Sequence, residues 1–107
     1  MTEAAERRVT GFLGLCMRAG KLASGQEACV ELVRSGKAAV AFMDAEASLN
    51  TKKRVTDACK ARETPLYELA ADALGDSIGK SGRMVTAIAS GGMADKLLQL
   101  LKDEPRL

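Results

Sequence analysis

The chain predicts an α/β fold, a three-layer αβα sandwich on a mixed sheet of about four strands with helices on both faces. Three observations predict it. Apolar residues at helical spacing alternate with short apolar runs along nearly all of the 107 residues, with glycines punctuating the boundaries. The run "AAVAFM", Ala38 to Met43, is apolar without interruption, as a strand covered on both faces requires. Hydrophobic residues make up 47% and charged residues 28%, a balance that buries a core rather than leaving the chain disordered. A chain of this length is expected to form one domain, residues 1–107, without metal or disulfide support.

Val9, Phe12, Leu13, Cys16 and Met17 recur at helical spacing, so a first helix is expected from about Glu3 to Arg18, ending near Gly20. A strand stub follows at Lys21 to Ala23. Cys29, Leu32 and Val33 mark a second helix, opened by Ser24 or Gly25 and closed at Ser35-Gly36. "AAVAFM" then forms the sheet centre. Ser48 to Asn50 offer capping side chains ahead of a third helix that turns Val55, Ala58 and Cys59 inward. Pro65 begins a short strand, "PLYEL". Leu74 and Ile78 mark a short fourth helix, "MVTAIA" from Met84 to Ala89 reads as a strand, and Gly91-Gly92 turns the chain into a last helix with Met93, Leu97, Leu98 and Leu101 inward.

Composition narrows the function. Aromatic residues are 3% of the chain and Trp is absent, so Phe12, Phe42 and Tyr67 are too few for an aromatic base-stacking platform. A net charge of +2 permits an anionic partner only through a local basic site. Cys16, Cys29 and Cys59 are separated by 13 and 30 residues, and histidine is absent. That set supplies neither a tetrahedral zinc site nor a Cys/His nucleophile pair, and no metal or other cofactor is expected. Each cysteine falls on an apolar face and reads as a buried thiol, which suits a reducing cytoplasm. The N-terminus lacks the apolar stretch of a signal peptide, and no run approaches the length of a membrane span, so no membrane partner is expected.

Two stretches invite a functional reading. "GDSIGKS", Gly75 to Ser81, has three residues between its glycines where a phosphate loop needs four, and it ends a helix instead of opening one. It reads as a helix C-terminus and a loop. "RAGKLASGQE", Arg18 to Glu27, has Leu22 as its one bulky apolar side chain. If Gln26 and Glu27 lie in the first turn of the second helix, free amides and the positive end of the dipole face outward there, with Lys21 beside them. Gln26 can then pair with an adenine edge and Glu27 can accept from a base amino group. Equally, Ser24 with Glu27 three residues on forms a capping box, S-x-x-E, which satisfies the helix amides without a ligand. "NTKKR", Asn50 to Arg54, has the same two readings: Asn50 as a cap and Lys52 and Lys53 on a solvated face, or all three as contacts to an RNA backbone.

Taken together, "LGLCMRAGKLASGQEA", "VRSGKAAVAFMDAEASLNTKKR", "TPLYEL" and "LGDSIGKSGRMVTAIA", in that order, resemble the kink-turn-binding ribosomal protein superfamily of the archaeal L-seven-Ae and eukaryotic L-thirty-e type, in particular its small bacterial YlxQ-like branch. The likeness runs from about Val9 to Lys102. It implies an αβα sandwich that sets the N-terminus of its second helix into the groove of a kinked RNA duplex, which the kink has opened to protein. By position, Ser24, Gly25, Gln26 and Glu27 occupy the family's Gly-x-Asn-Glu turn: Gly25 lets backbone approach RNA, and Gln26 stands where Asn is usual. Lys21 would meet backbone or a guanine edge. "GKSGR", Gly79 to Arg83, occupies the family's second RNA loop, with Lys80 and Arg83 as contacts. Val30 replaces a Lys common in archaeal members, and the second loop is basic where theirs is apolar.

The resemblance implies structured, kink-turn-like RNA as the partner, ribosomal RNA included, with ribosomal or RNA-processing proteins as further partners. The absence of histidine and of any nucleophile pair, the cysteine usage and the lack of any feature that requires more than one copy give the expectation of a non-enzymatic, cytoplasmic monomer. The competing reading is a protein-interaction adaptor that keeps the fold and has lost specific RNA reading.

Overall fold

In the structure, a computed structural model that describes all residues from Met1 to Leu107, the elements follow the expected alternation: α1 (Glu3–Arg18), β1 (Leu22–Ser24), α2 (Gln26–Arg34), β2 (Ala38–Asp44), α3 (Leu49–Arg62), β3 (Leu66–Leu69), α4 (Ala73–Ile78), β4 (Val85–Ala89) and α5 (Gly92–Leu100). Local chemistry sets several boundaries. The Thr2 hydroxyl accepts from the Ala5 amide at 3.1 Å and opens α1, whose first turn carries Glu3 and Glu6 against the helix dipole. Pro65 has no N–H to give, so β3 begins at Leu66; the Pro65 carbonyl still accepts from the Ala41 amide at 2.9 Å.

The sheet is mixed, in the order β1-β4-β2-β3. β4 runs antiparallel to both of its neighbours, and β2 is parallel to β3. It follows that β1, β2 and β3 share one direction, and that β4 is the reversed strand inserted between β1 and β2. Each of the three parallel strands is followed directly by a helix, so the N-termini of α2, α3 and α4 all emerge at one end of the sheet, the carboxyl end of those strands. Loops binding ligands in open α/β sheets gather at that end.

Alternation along the strands divides the core into two halves. Val40, Phe42, Tyr67, Leu69 and Ile88 face α1, α4 and α5, where Val9, Leu13, Cys16, Leu74, Leu97 and Leu101 complete one buried cluster. Ala41, Met43, Leu66, Val85 and Ala87 face the other way and pack against Cys29, Val30 and Val33 of α2 and Val55, Ala58 and Cys59 of α3. All three cysteines are free and buried, as their apolar surroundings predict. Two of the three aromatic rings are core residues: Phe42 and Tyr67 stack with centroids 5.9 Å apart. No helix is long and apolar enough to cross a membrane.

Candidate nucleic-acid interface

The carboxyl end of the sheet is organised from within by Asp44, the last residue of β2, which is fully buried. Its Oδ1 accepts from the Glu46 amide at 2.7 Å and its Oδ2 from the Asp72 amide at 2.9 Å, while its own amide donates to the Met84 carbonyl at 2.8 Å. One carboxylate therefore holds the β2–α3 turn to the β3–α4 turn, and its backbone ties both to the entry of β4. Charge-assisted bonds of this kind are the stronger sort.

Gly25 forms the turn above this bracket. Its φ of 92° and ψ of 152° lie in a region open essentially to glycine alone, and its amide donates to the Val85 carbonyl at 3.0 Å. This turn releases the chain from β1 into α2 without a side chain over the helix end. Gly25 is the N-cap of α2 and gives its amides no side-chain acceptor, whereas α1 and α3 are capped by Thr2 and Ser48. Ser24 belongs to β1, paired with Thr86 in the antiparallel ladder, so the S-x-x-E capping box does not form. The start of α2 thus keeps the dipole end and free N–H groups that suit an anion.

The α4–β4 loop closes over the same turn. A methyl group at Gly25 would lie 2.6 Å from the Nη1 of Arg83, which places that guanidinium directly against the glycine. The loop is itself seated on Gly75, where a Cβ would meet the Lys80 carbonyl oxygen at 2.8 Å, and the Lys80 amide donates back to the Gly75 carbonyl at 2.9 Å. The first glycine of "GDSIGKS" therefore serves close backbone packing and not a phosphate cradle. Lys80 and Arg83 are both exposed.

Two side chains at the head of α2 are held by α3. Gln26 Oε1 accepts from the Thr51 hydroxyl at 2.7 Å, and the Thr51 amide and hydroxyl engage Ser48 Oγ at 3.1 and 3.0 Å. The two Glu27 carboxylate oxygens accept from the two terminal nitrogens of Arg54, Nη1 to Oε1 and, at 3.1 Å, Nη2 to Oε2. This hydrogen bonding and the positive charge of Arg54 hold the Glu27 carboxyl below the usual carboxylate range, so it is ionised at neutral pH. The sequence pattern did not single out Arg54 or Thr51. Their signal is the three-residue spacing that puts both on the α3 face turned to α2.

The expected contact residues divide accordingly. Ser24, Gly25, Gln26, Glu27 and Arg83 come together at the carboxyl end, with Lys80 in the adjoining loop. Lys21 does not join them: its carbonyl accepts from the amide of Ala89, the last residue of β4, so it sits at the opposite end of β1, roughly 13 Å of extended chain from Gly25. Asn50 is not the cap of α3, because Ser48 takes that place; Asn50 is exposed in the first turn. Lys52 turns its ammonium onto the Ala45 carbonyl at 2.7 Å, and Lys53 pairs with Asp57 at 3.0 Å, four residues along the same helix. No three His, Cys, Asp or Glu side chains converge as a metal-binding group.

A mixed four-stranded sheet between two layers of helices, with a glycine-opened helix N-terminus at the carboxyl end of its parallel strands, places the chain among small αβα sandwich proteins. Within that class, the chain belongs to the ribosomal protein L7Ae/L30e/S12e/Gadd45 family, whose model matches residues 7–98. It is 40% identical over 91 residues to "RNA-binding protein YlxQ" of Bacillus subtilis (strain 168), covering 84% of this chain and 91% of that protein. To the protein of the same name from Enterococcus faecium it is 38% identical over 103 residues, covering 95% and 99%. Among solved structures it is similar to a protein of unknown function from Bacillus halodurans C, with a TM-score of 0.80 and 30% identity over 89% of this chain and 97% of that one. A Giardia lamblia 15.5kD RNA binding protein shares the fold, with a TM-score of 0.77 and 16% identity over 95% and 88% of the two chains.

Proposed function

We propose that this protein is a non-enzymatic RNA-binding protein that recognises a kinked, kink-turn-like RNA duplex, and that it acts in the cytoplasm as a monomer on ribosomal or another structured RNA. The observation that carries the reading is the start of α2 at Gly25, which has no side-chain cap, has the Arg83 guanidinium against it and carries Gln26 and Glu27 in its first turn. In this reading, free amides and Arg83 take phosphate while Gln26 and Glu27 read base edges. Lys80 adds charge from the neighbouring loop, and Asn50 and Lys53 extend the surface along α3. Lys21, at the far end of β1, meets only a flanking stretch of backbone. Membership in a family of ribosomal proteins and the RNA-binding names of its relatives support RNA as the ligand class. Three buried free thiols support a reducing compartment.

The test is a titration of a kink-turn RNA and a matched straight duplex with wild type and Gln26→Ala at two salt concentrations. The wild type is expected to prefer the kinked RNA, with log affinity falling by roughly 0.7–0.9 per phosphate neutralised for each log unit of salt. Gln26→Ala is expected to lose about 1–3 kcal/mol on the kinked RNA and little on the straight one. Equal weak binding of both RNAs, unchanged by the substitution, would overturn the reading and favour the adaptor.

A further inference from the structure

Glu27 and Gln26 are both clamped before any ligand arrives, and both clamps come from α3. Arg54 and Thr51 stand three residues apart on one face of that helix and reach across to consecutive residues of α2. The fork of a guanidinium matched to both oxygens of a carboxylate fixes the direction of the carboxylate plane as well as its position, which a lysine ammonium cannot do. We propose that Arg54 is a positioning residue for base recognition: it holds the Glu27 carboxylate in the orientation that accepts from a base, so that α3 sets the geometry with which α2 reads RNA. The proposal rests on the kinked-RNA reading above and adds a specificity role to a residue of that surface.

Four features separate this role from a plain phosphate contact. The Glu27 side chain is 78% exposed and that of Arg54 37%, so the carboxylate stays open to a ligand while paired, and more of the Arg54 side chain is covered by the protein. A bidentate pair occupies two of the carboxylate's roughly four lone-pair positions and leaves the outer ones to a base amino group. A bare carboxylate would also be repelled by the phosphates of a duplex, and Arg54 offsets that charge without covering the reading edge. Fixing the side chain in the free protein removes an ordering cost from the bound state.

The experiment compares wild type, Arg54→Gln, Arg54→Lys, Glu27→Gln and the Arg54→Gln/Glu27→Gln double variant on the kinked RNA and the straight duplex, across a salt series. Arg54→Gln is expected to lower the kinked-over-straight preference about 5–30-fold while leaving the salt slope on the straight duplex nearly unchanged. Arg54→Lys, which restores charge without the fork, is expected to recover only part of the preference. If Arg54 acts through Glu27, the double variant loses no more preference than Glu27→Gln alone. Multiplying effects in the double variant, or an equal weakening on both RNAs with the salt slope reduced by about one phosphate, would make Arg54 an independent backbone contact and overturn the proposal. A wild type that prefers the kinked RNA together with an unchanged Arg54→Gln overturns this proposal alone. A wild type without preference overturns the RNA reading and this assignment with it.

Discussion

A side chain at position 25 would have to accept a backbone conformation reserved for glycine and share its space with the Arg83 guanidinium. The second demand is slight, because the end of a long side chain can move; the first is not. Gly25→Ala is therefore expected to destabilise the protein by about 1–3 kcal/mol, read as a lower thermal midpoint in calorimetry. An unchanged midpoint would show that the turn has another conformation available. Asp44 makes a second residue-scale test. Asparagine keeps its shape but offers one acceptor oxygen where two amides now find partners, and it turns an NH2 group toward the other N–H. With the Glu46 or Asp72 amide left unpaired against a buried side chain, Asp44→Asn is expected to cost about 1–3 kcal/mol in chemical denaturation, and a cost near zero would contradict the bracket.

At the scale of elements, α2 and α3 start side by side with opposite solutions to the same problem. Ser48 Oγ accepts from the Thr51 amide at 3.1 Å and closes the end of α3, whereas α2 is left open. Ser48→Ala is expected to cost about 1 kcal/mol by the same denaturation measurement, and also to loosen Thr51 and hence Gln26. A loss of stability with Gln26 still held would separate the cap from the clamp. The helices were legible in the sequence because their apolar faces repeat every three or four residues, and α1 runs from Glu3 to Arg18 as its pattern predicts. The start of α2 was legible only as a choice between Ser24 and Gly25. Local pattern favours a capping box there, but Ser24 is drawn into the ladder with Thr86, and Glu27 is drawn away by Arg54, 27 residues later. Neither partner is visible in a short window. The same limit explains Lys21: proximity in sequence suggested one site with Gly25, and the strand between them puts the two at opposite ends of the sheet.

For the whole molecule, burial of the Cys29 and Cys59 thiols between the sheet and the α2–α3 layer links stability to alkaline pH. Burial pushes Cys29 up to about 12 and Cys59 to about 11, from an ordinary value of 9.0. Above about pH 9 the unfolded chain releases these protons while the folded chain keeps them, so the folded state binds more protons and its stability falls as pH rises. The contribution is complete below pH 9 and is lost through the range up to the folded values. Replacing Cys29 and Cys59 together by Ala is expected to flatten that part of the stability–pH profile; an unaltered slope would assign it to other groups.

The arrangement of the sheet makes the broadest claim, because the three parallel strands deliver the Gly25 turn and the starts of α3 and α4 to one end, where the Lys80–Arg83 loop leads into the reversed β4, while Lys21, Lys37 and Ser90 lie at the other. The most direct test is to follow backbone amide shifts by nuclear magnetic resonance as kinked RNA is added to the labelled protein. Perturbations centred on Gly25–Ala28 and Gly79–Arg83, with Lys37 and Ser90 unmoved, are the predicted result. Perturbations concentrated at Lys37 and Ser90, with Gly25–Ala28 unmoved, would place the RNA at the opposite end of the sheet and contradict this reading.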